Sequence, residues 1–203
     1  MVVKSSHRQR QAQQTRDQVA AAARRLFAEH GYVATTIAAI AAEADIPAPT
    51  IYSAFGGKKA ILDRIVENWI AASDTRRLHD AVLAEPDPVR RMRLIAHLQR
   101  VQLQSGLDVV LGYQEAARVD PAMAGPWHDT LAGRERMLGI LLDSFTGMLA
   151  PGLDQAAAMD RLVACTTPEI YRTLVDLRGW SPEGYEAWLG DLLVHQLLAV
   201  DPG

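Results

Sequence analysis

Residues 35–58 read TTIAAIAAEADIPAPTIYSAFGGK, and the reading of this stretch decides the fold. Ile37, Ile40, Ala41 and Ala44 recur at helical spacing and share one face. Thr35 or Thr36 precedes that face, where a hydroxyl caps a helix start. Asp45 ends the helix, because Asp tolerates the left-handed backbone better than most side chains. Pro47 and Pro49 lack an amide hydrogen, which costs least in the first turn of a helix. A second short helix follows, with Ile51 and Phe55 one turn apart on its inner side. Its outer side carries Thr50, Ser53 and Ala54, with Tyr52 at the edge. So short a helix is not stable alone and must be held by its neighbours. Two helices joined by a tight turn, the second one presented, make a helix-turn-helix.

Leu26-Phe27, Gly31-Tyr32, Thr35-Thr36, Ile40-Ala41, Pro49-Thr50-Ile51-Tyr52, Phe55 and Lys58 stand at spacings that carry a family resemblance. The stretch from about residue 15 to 62 resembles the N-terminal domain of the TetR family of transcriptional regulators. Asp45 stands where that family's turn usually has glycine. The resemblance implies an all-α chain with a helix-turn-helix head and a larger helical body. The expected division is a flexible basic arm over 1–12, a DNA-binding domain over 13–60 and a ligand-binding and dimerisation domain over 61–203.

Composition agrees with a globular chain. Of 203 residues, 49% are hydrophobic, enough for a core, and 22% are charged. One cysteine, Cys165, excludes an internal disulfide and suits a reducing compartment, so a cytoplasmic location is expected. The polar N-terminus lacks the apolar run of a signal peptide, and no segment is apolar enough for a membrane span. The net charge of −3 is unevenly spread. Residues 1–59 hold eight Lys or Arg and four Asp or Glu, a net +4. The remainder holds 13 basic and 20 acidic residues, a net −7. A DNA-facing head on an acidic body has this asymmetry.

The first helix is expected from about Gln13 to His30, stopped by Gly31. Before it, Lys4, Arg8 and Arg10 either form a solvated tail or, as in some members of the family, reach a minor groove. A fourth helix is expected from Gly57 to about Leu83. Beyond it, Asp87-Pro88, Asp120-Pro121, Thr167-Pro168 and Ser181-Pro182 share one signature, an oxygen acceptor at the N-cap and proline at the first helical position. Helices are predicted over 88–104, 107–118, 121–149, 154–165, 168–177 and 182–200, with Gly125-Pro126 interrupting the third. In the last, Tyr185, Trp188, Leu189, Leu192, Leu193, Gln196, Leu197, Ala199 and Val200 make a surface wider than one buried stripe. By the resemblance, Tyr185, Trp188, Leu189, Leu192 and Gln196 belong to a homodimer interface with helix 154–165. The alternative is that they close the protomer's own core.

No catalytic spacing is present, so an enzyme is not expected. The six histidines are too scattered for a local metal motif, and no cofactor or metal is expected. The expected partner is double-stranded DNA. Free amides and the Thr36 hydroxyl at the first helix start suit a phosphate. Lys58 matches the family's phosphate-binding lysine. Pro47, Ala48 and Pro49 are placed for thymine methyls, and Thr50, Tyr52 and Ser53 for hydrogen bonds. The recognition helix carries no Arg or Gln for bidentate readout, so DNA shape and half-site spacing must set part of the specificity. The resemblance also implies a small-molecule site in the body. Its candidate lining is His97, Val101, Leu103, Tyr113, Met123, Trp127, His128, Leu131, Met137, Leu141, Phe145 and Tyr171, which as easily pack as ordinary core. The expected ligand is mainly apolar and not strongly charged. The function expected is a homodimeric repressor released from a near-palindromic operator by that ligand. The alternative is a DNA-binding regulator, protein-partnered or activating, without small-molecule control.

Overall fold

The computed structural model describes residues 3–145 and 147–199, with side chains from His7 onward. Among the described residues there is no strand, only one isolated bridge between Leu149 and Leu198. The helices are α1 (Val3–Ala34), α2 (Ile37–Ala44), α3 (Ala48–Phe55), α4 (Lys58–Ala72), α5 (Thr75–Ala84), α6 (Pro88–Val119), α7 (Pro121–Asp143), α8 (Gln155–Cys165), α9 (Pro168–Tyr171) and α10 (Pro182–Leu197). A π-helical segment, Arg172–Leu177, follows α9. The chain divides into two compact units, one of residues 1–72 and 108–127, the other of residues 73–107 and 128–203. The head's unit also takes α4 and a later piece of chain.

Several helix ends follow the sequence closely. Gly31 (φ 81°) breaks α1 where the stop is expected. Gly106 breaks α6 between the two predicted helices, 88–104 and 107–118. Asp87 Oδ1 accepts from Arg90 N at 2.7 Å, Asp120 Oδ1 from Ala122 N at 2.9 Å, and Ser181 Oγ from Gly184 N at 3.0 Å. Thr167 makes no such side-chain cap, although α9 starts behind it.

Four expectations are corrected. Helix α1 begins at Val3, ten residues before the expected start near Gln13. The expected fourth helix is two, α4 and α5, interrupted at Ser73-Asp74. Helix α7 runs through Pro126 and ends at Asp143, six residues before the predicted end. Near the start of a helix a proline forfeits a single backbone bond, and the flanking turns carry the helix past it. Helix α10 ends at Leu197; Val200, assigned to its apolar surface, lies outside the described residues, as does the side chain of Lys4.

The first unit is built on Val19, Ala22, Ala23 and Phe27 of α1, Ile40 of α2, Ile51 of α3, and Ile61 and Leu62 of α4, all buried. Val109, Tyr113, Ala116 and Met123 from the later piece join the same cluster. Each large aliphatic side chain buried there contributes roughly 1.5–3 kcal/mol. This supplies the support that α2 and α3 lack alone. The second unit packs Met92, Ile95, Leu141, Leu142, Phe145, Leu162, Tyr185 and Leu189 into its own core.

Candidate nucleic-acid interface

Helix α2 starts at Thr36, whose Oγ1 accepts from Ala39 N at 3.1 Å. Thr35 instead turns inward, and its hydroxyl donates to Gly31 O at 2.8 Å. Asp45 then takes the left-handed conformation (φ 52°, ψ 44°), and Ile46 N donates back to Ala41 O at 3.0 Å. This closes α2 and turns the chain into α3 within three residues. Pro47 O accepts from Thr50 N at 2.9 Å, so α3 begins on the proline pair as the sequence implies. Ile51 is buried beneath α3, which leaves Pro47, Pro49, Thr50, Tyr52 and Ser53 exposed and Ala48 half-buried. Tyr52 is 56% exposed, so its ring is not packed within the head. The outward residues thus form one continuous surface along a helix held from below.

Two side chains of α1, not anticipated from sequence, hold this motif at its open ends. Gln18 Nε2 donates to Ala44 O at 2.8 Å, and Arg16 Nη2 donates to Ala54 O at 2.8 Å. They satisfy terminal carbonyls of α2 and α3 that have no partner inside their own helices. Arg16 also lies over the Phe55 ring, 5.7 Å from its centroid. The pairing joins residues 38 positions apart, so only the folded chain reveals it.

Lys58, at the start of α4, has a role beyond the one its position suggested. Its Nζ donates to Tyr32 O at 2.7 Å and to Val33 O at 3.4 Å, and lies 4.4 Å from the Tyr32 ring centroid. Glu115 grips the same turn from its amide side, accepting from Tyr32 N at 3.0 Å and Val33 N at 3.4 Å. The positive φ of Gly31 favours glycine, and a Cβ there would also approach the Glu115 carboxylate closely, at 3.0 Å. Burial lowers the Lys58 pKa from its ordinary value, opposed by the charges of Asp120 and Glu115. Burial first, then Asp120 and Asp63, pushes the Tyr32 phenol up to about 12. Two of the three Lys58 N–H donors meet carbonyls, which leaves one for a phosphate.

The basic count of the head is partly neutralised internally. Arg24 pairs with Asp108 at 2.6 Å, Arg25 with Glu43 at 2.7 Å and Lys59 with Asp63 at 2.7 Å. Arg8 and Arg10 on α1 are exposed and form no ion pair among the described residues.

This arrangement has known counterparts. Residues 19–65 match the family model described as bacterial regulatory proteins, tetR family. Over those residues the chain is similar to the TetR family. No curated protein matches it, but many solved structures share its fold. A putative transcriptional regulator from Saccharomonospora viridis, in complex with choline, aligns over 93% of this chain and 100% of its own (22% identity, TM-score 0.72). NalD, the secondary repressor of the MexAB-OprM multidrug efflux pump in Pseudomonas aeruginosa, aligns over 94% and 98% (19%, TM-score 0.71). FadR from Bacillus subtilis, in complex with stearoyl-CoA, aligns over 87% and 96% (19%, TM-score 0.70). The TetR-like fold thus extends beyond the matched head into the helical body.

The residues expected to line a ligand site fall into both units. Tyr113, Met123 and Trp127 belong to the first, where the Tyr113 and Trp127 rings lie 5.7 Å apart at a tilt of 41°. In the second, Leu141, Phe145 and Tyr171 are buried in the core, Val101 and Met137 are half-buried, and His128 is exposed. His97 is paired with Glu186 at 3.0 Å. Of the expected dimer residues, Tyr185 and Leu189 are wholly buried within the protomer, Trp188 and Leu192 are half-buried, and Gln196 is exposed. Among the described residues, no group of three or more His, Cys, Asp or Glu is placed to hold a metal, and no helix is long and apolar enough to cross a membrane.

Proposed function

We propose that this chain is a homodimeric regulator of the TetR family that binds a near-palindromic operator and is released by a small molecule held in its body. The observation that carries the DNA-binding reading is α3 itself, held from below by Ile51 and presenting Pro47, Pro49, Thr50, Tyr52 and Ser53 outward. Thr36 and the third Lys58 donor would hold phosphates, which position the protein, while α3 reads the groove. Two α3 helices in successive major grooves require half-sites about 34–36 Å apart or a multiple of that. Ligand control is supported by the choline and stearoyl-CoA complexes of the similar structures. It requires a ligand that binds one of two states better than the other.

The burial of Leu141, Phe145 and Tyr171 favours a second reading, DNA binding without small-molecule control. One experiment separates the two. Binding to DNA flanking the chain's own gene and to random DNA is measured across a salt series, then repeated with candidate ligands. Specific, steeply salt-dependent binding that a ligand abolishes supports the first reading. Specific binding that no ligand alters supports the second, and equal weak binding to both DNAs rejects operator recognition there.

A further inference from the structure

Three consecutive residues of α1 each meet a different helix of the head. Arg16 Nη2 donates to Ala54 O of α3 at 2.8 Å, and Gln18 Nε2 donates to Ala44 O of α2 at 2.8 Å. Between them, Asp17 Oδ1 accepts from Arg64 Nη2 at 2.8 Å and from Asn68 Nδ2 at 3.1 Å, both on α4. All these residues lie in the first unit. One turn of α1 thus ties α2, α3 and α4 together.

Of these contacts, the one made by Arg16 bears on the helix that presents Thr50, Tyr52 and Ser53. Helix α3 has eight residues, and Ile51 is the only one of them that is buried. One buried side chain fixes where a helix sits and leaves its tilt to the contacts at its ends. The start of α3 is tied to α2 by the three-residue turn 45–47. At its other end Gly56 N donates to Tyr52 O at 2.8 Å, and the last turn of α3 holds no basic residue of its own. Carbonyls at a helix C-terminus lack intrahelical partners and carry partial negative charge, which a cation stabilises. Arg16 brings that cation from 38 residues away. Its guanidinium also lies 5.7 Å from the ring centroid of Phe55, which is half-buried one turn after Ile51. Arg16 is itself exposed, so its replacement opens no cavity.

We propose that Arg16 is a positioning residue for operator recognition: through Ala54 and Phe55 it holds the C-terminal end of α3 at the tilt at which Thr50, Tyr52 and Ser53 meet base edges. The inference rests on the DNA-binding reading above and names a residue outside the presented surface that governs its specificity. A side chain that met only phosphate would contribute equally to every sequence, whereas a change in the tilt of α3 acts on base contacts.

The test uses the full chain to select a preferred duplex from random-sequence DNA. The enriched duplex is then compared with a shuffled one of the same composition across a salt series. Arg16→Met should weaken binding to the enriched duplex by about ten-fold, the scale of one lost base-pair contact, and leave the shuffled duplex and both salt slopes unaltered. Arg16→Lys, which keeps the charge and a donor, should restore part of the loss. Amide hydrogen exchange of the free protein reads the hold without DNA: Arg16→Met should speed exchange several-fold over residues 52–56 and leave residues 37–44 as in the wild type. Weakening of both duplexes by one factor, with slopes kept, reports a general loss of folded molecules and overturns the role. Equal weakening with a fall of about one in both slopes makes Arg16 a phosphate contact and overturns it too. So does unchanged exchange in α3. An enriched duplex bound equally by the wild type and Arg16→Met rejects the positioning role alone, whereas a selection that enriches no sequence rejects operator recognition itself and this role with it.

Discussion

Lys58 holds two carbonyls at the end of α1, and this contact changes what its removal should do. A lysine that only touched a phosphate would leave stability unaltered when lost. Lys58→Ala should instead lower the unfolding free energy by about 1–2 kcal/mol, in the range for bonds involving a charged donor. Its third donor predicts in addition a fall of about one in the salt slope of DNA binding. Urea unfolding and a salt-dependent binding series measure the two effects separately, and an unchanged slope would confine Lys58 to the structural role. Tyr32, beneath the same ammonium, gives a pH prediction. Its folded pKa of about 12 lies above the ordinary 10, so the neutral phenol's contribution is whole below pH 10 and is lost as pH rises through about 12. Stability should fall across this window, and Tyr32→Phe should flatten the fall. Ultraviolet titration of the phenolate at increasing pH, wild type against Tyr32→Phe, checks that the late-titrating group is this one.

At the scale of elements, the turn between α2 and α3 stands on one backbone conformation. Asp45 is the only described non-glycine residue with positive φ. A left-handed residue with a side chain costs roughly 1–2 kcal/mol, and glycine escapes that at the cost of greater freedom when unfolded. Asp45→Gly should therefore raise stability by up to about 1 kcal/mol. Asp45→Val, β-branched in the same conformation, should lower it by about 1–2 kcal/mol. Both are read from the urea midpoint at constant m value. This turn was legible in sequence because its determinants are adjacent: Thr36, Asp45 and the proline pair lie within 14 residues. The helix starts at Pro88, Pro121 and Pro182 were legible for the same reason. The interruption between α4 and α5 was not, because Ser73-Asp74 lacks glycine or proline and the apolar spacing runs on across it. Gln18 and Arg16 were illegible in another way, since the carbonyls they meet lie 26 and 38 residues away.

For the molecule as a whole, the charge asymmetry that pointed to DNA is carried by fewer free groups than the count suggested, because Arg24, Arg25 and Lys59 pair with acids inside their own unit. Arg8 and Arg10, exposed on α1 without an ion pair among the described residues, can meet phosphates along the surface of that helix. The proposed dimer is constrained similarly. Tyr185 and Leu189 are consumed by the protomer's core, so an interface on α10 must use its outer side, with Trp188, Leu192 and Gln196. Trp180, 41% exposed, stands edge-on to Trp188 at 6.2 Å and extends that apolar surface toward Leu177, which is 67% exposed. Interfaces are typically anchored by a few aromatic side chains at their centre. Trp188→Ser with Trp180→Ser should therefore weaken self-association at least ten-fold in sedimentation velocity while the helical circular dichroism is kept. On the proposed model, in which two heads engage one operator, the same double variant should lose far more affinity for a two-half-site DNA than for a single half-site. A double variant that sediments as the wild type would place the interface on another face. One that becomes monomeric yet keeps full affinity for the two-half-site DNA would remove the dimer from operator recognition.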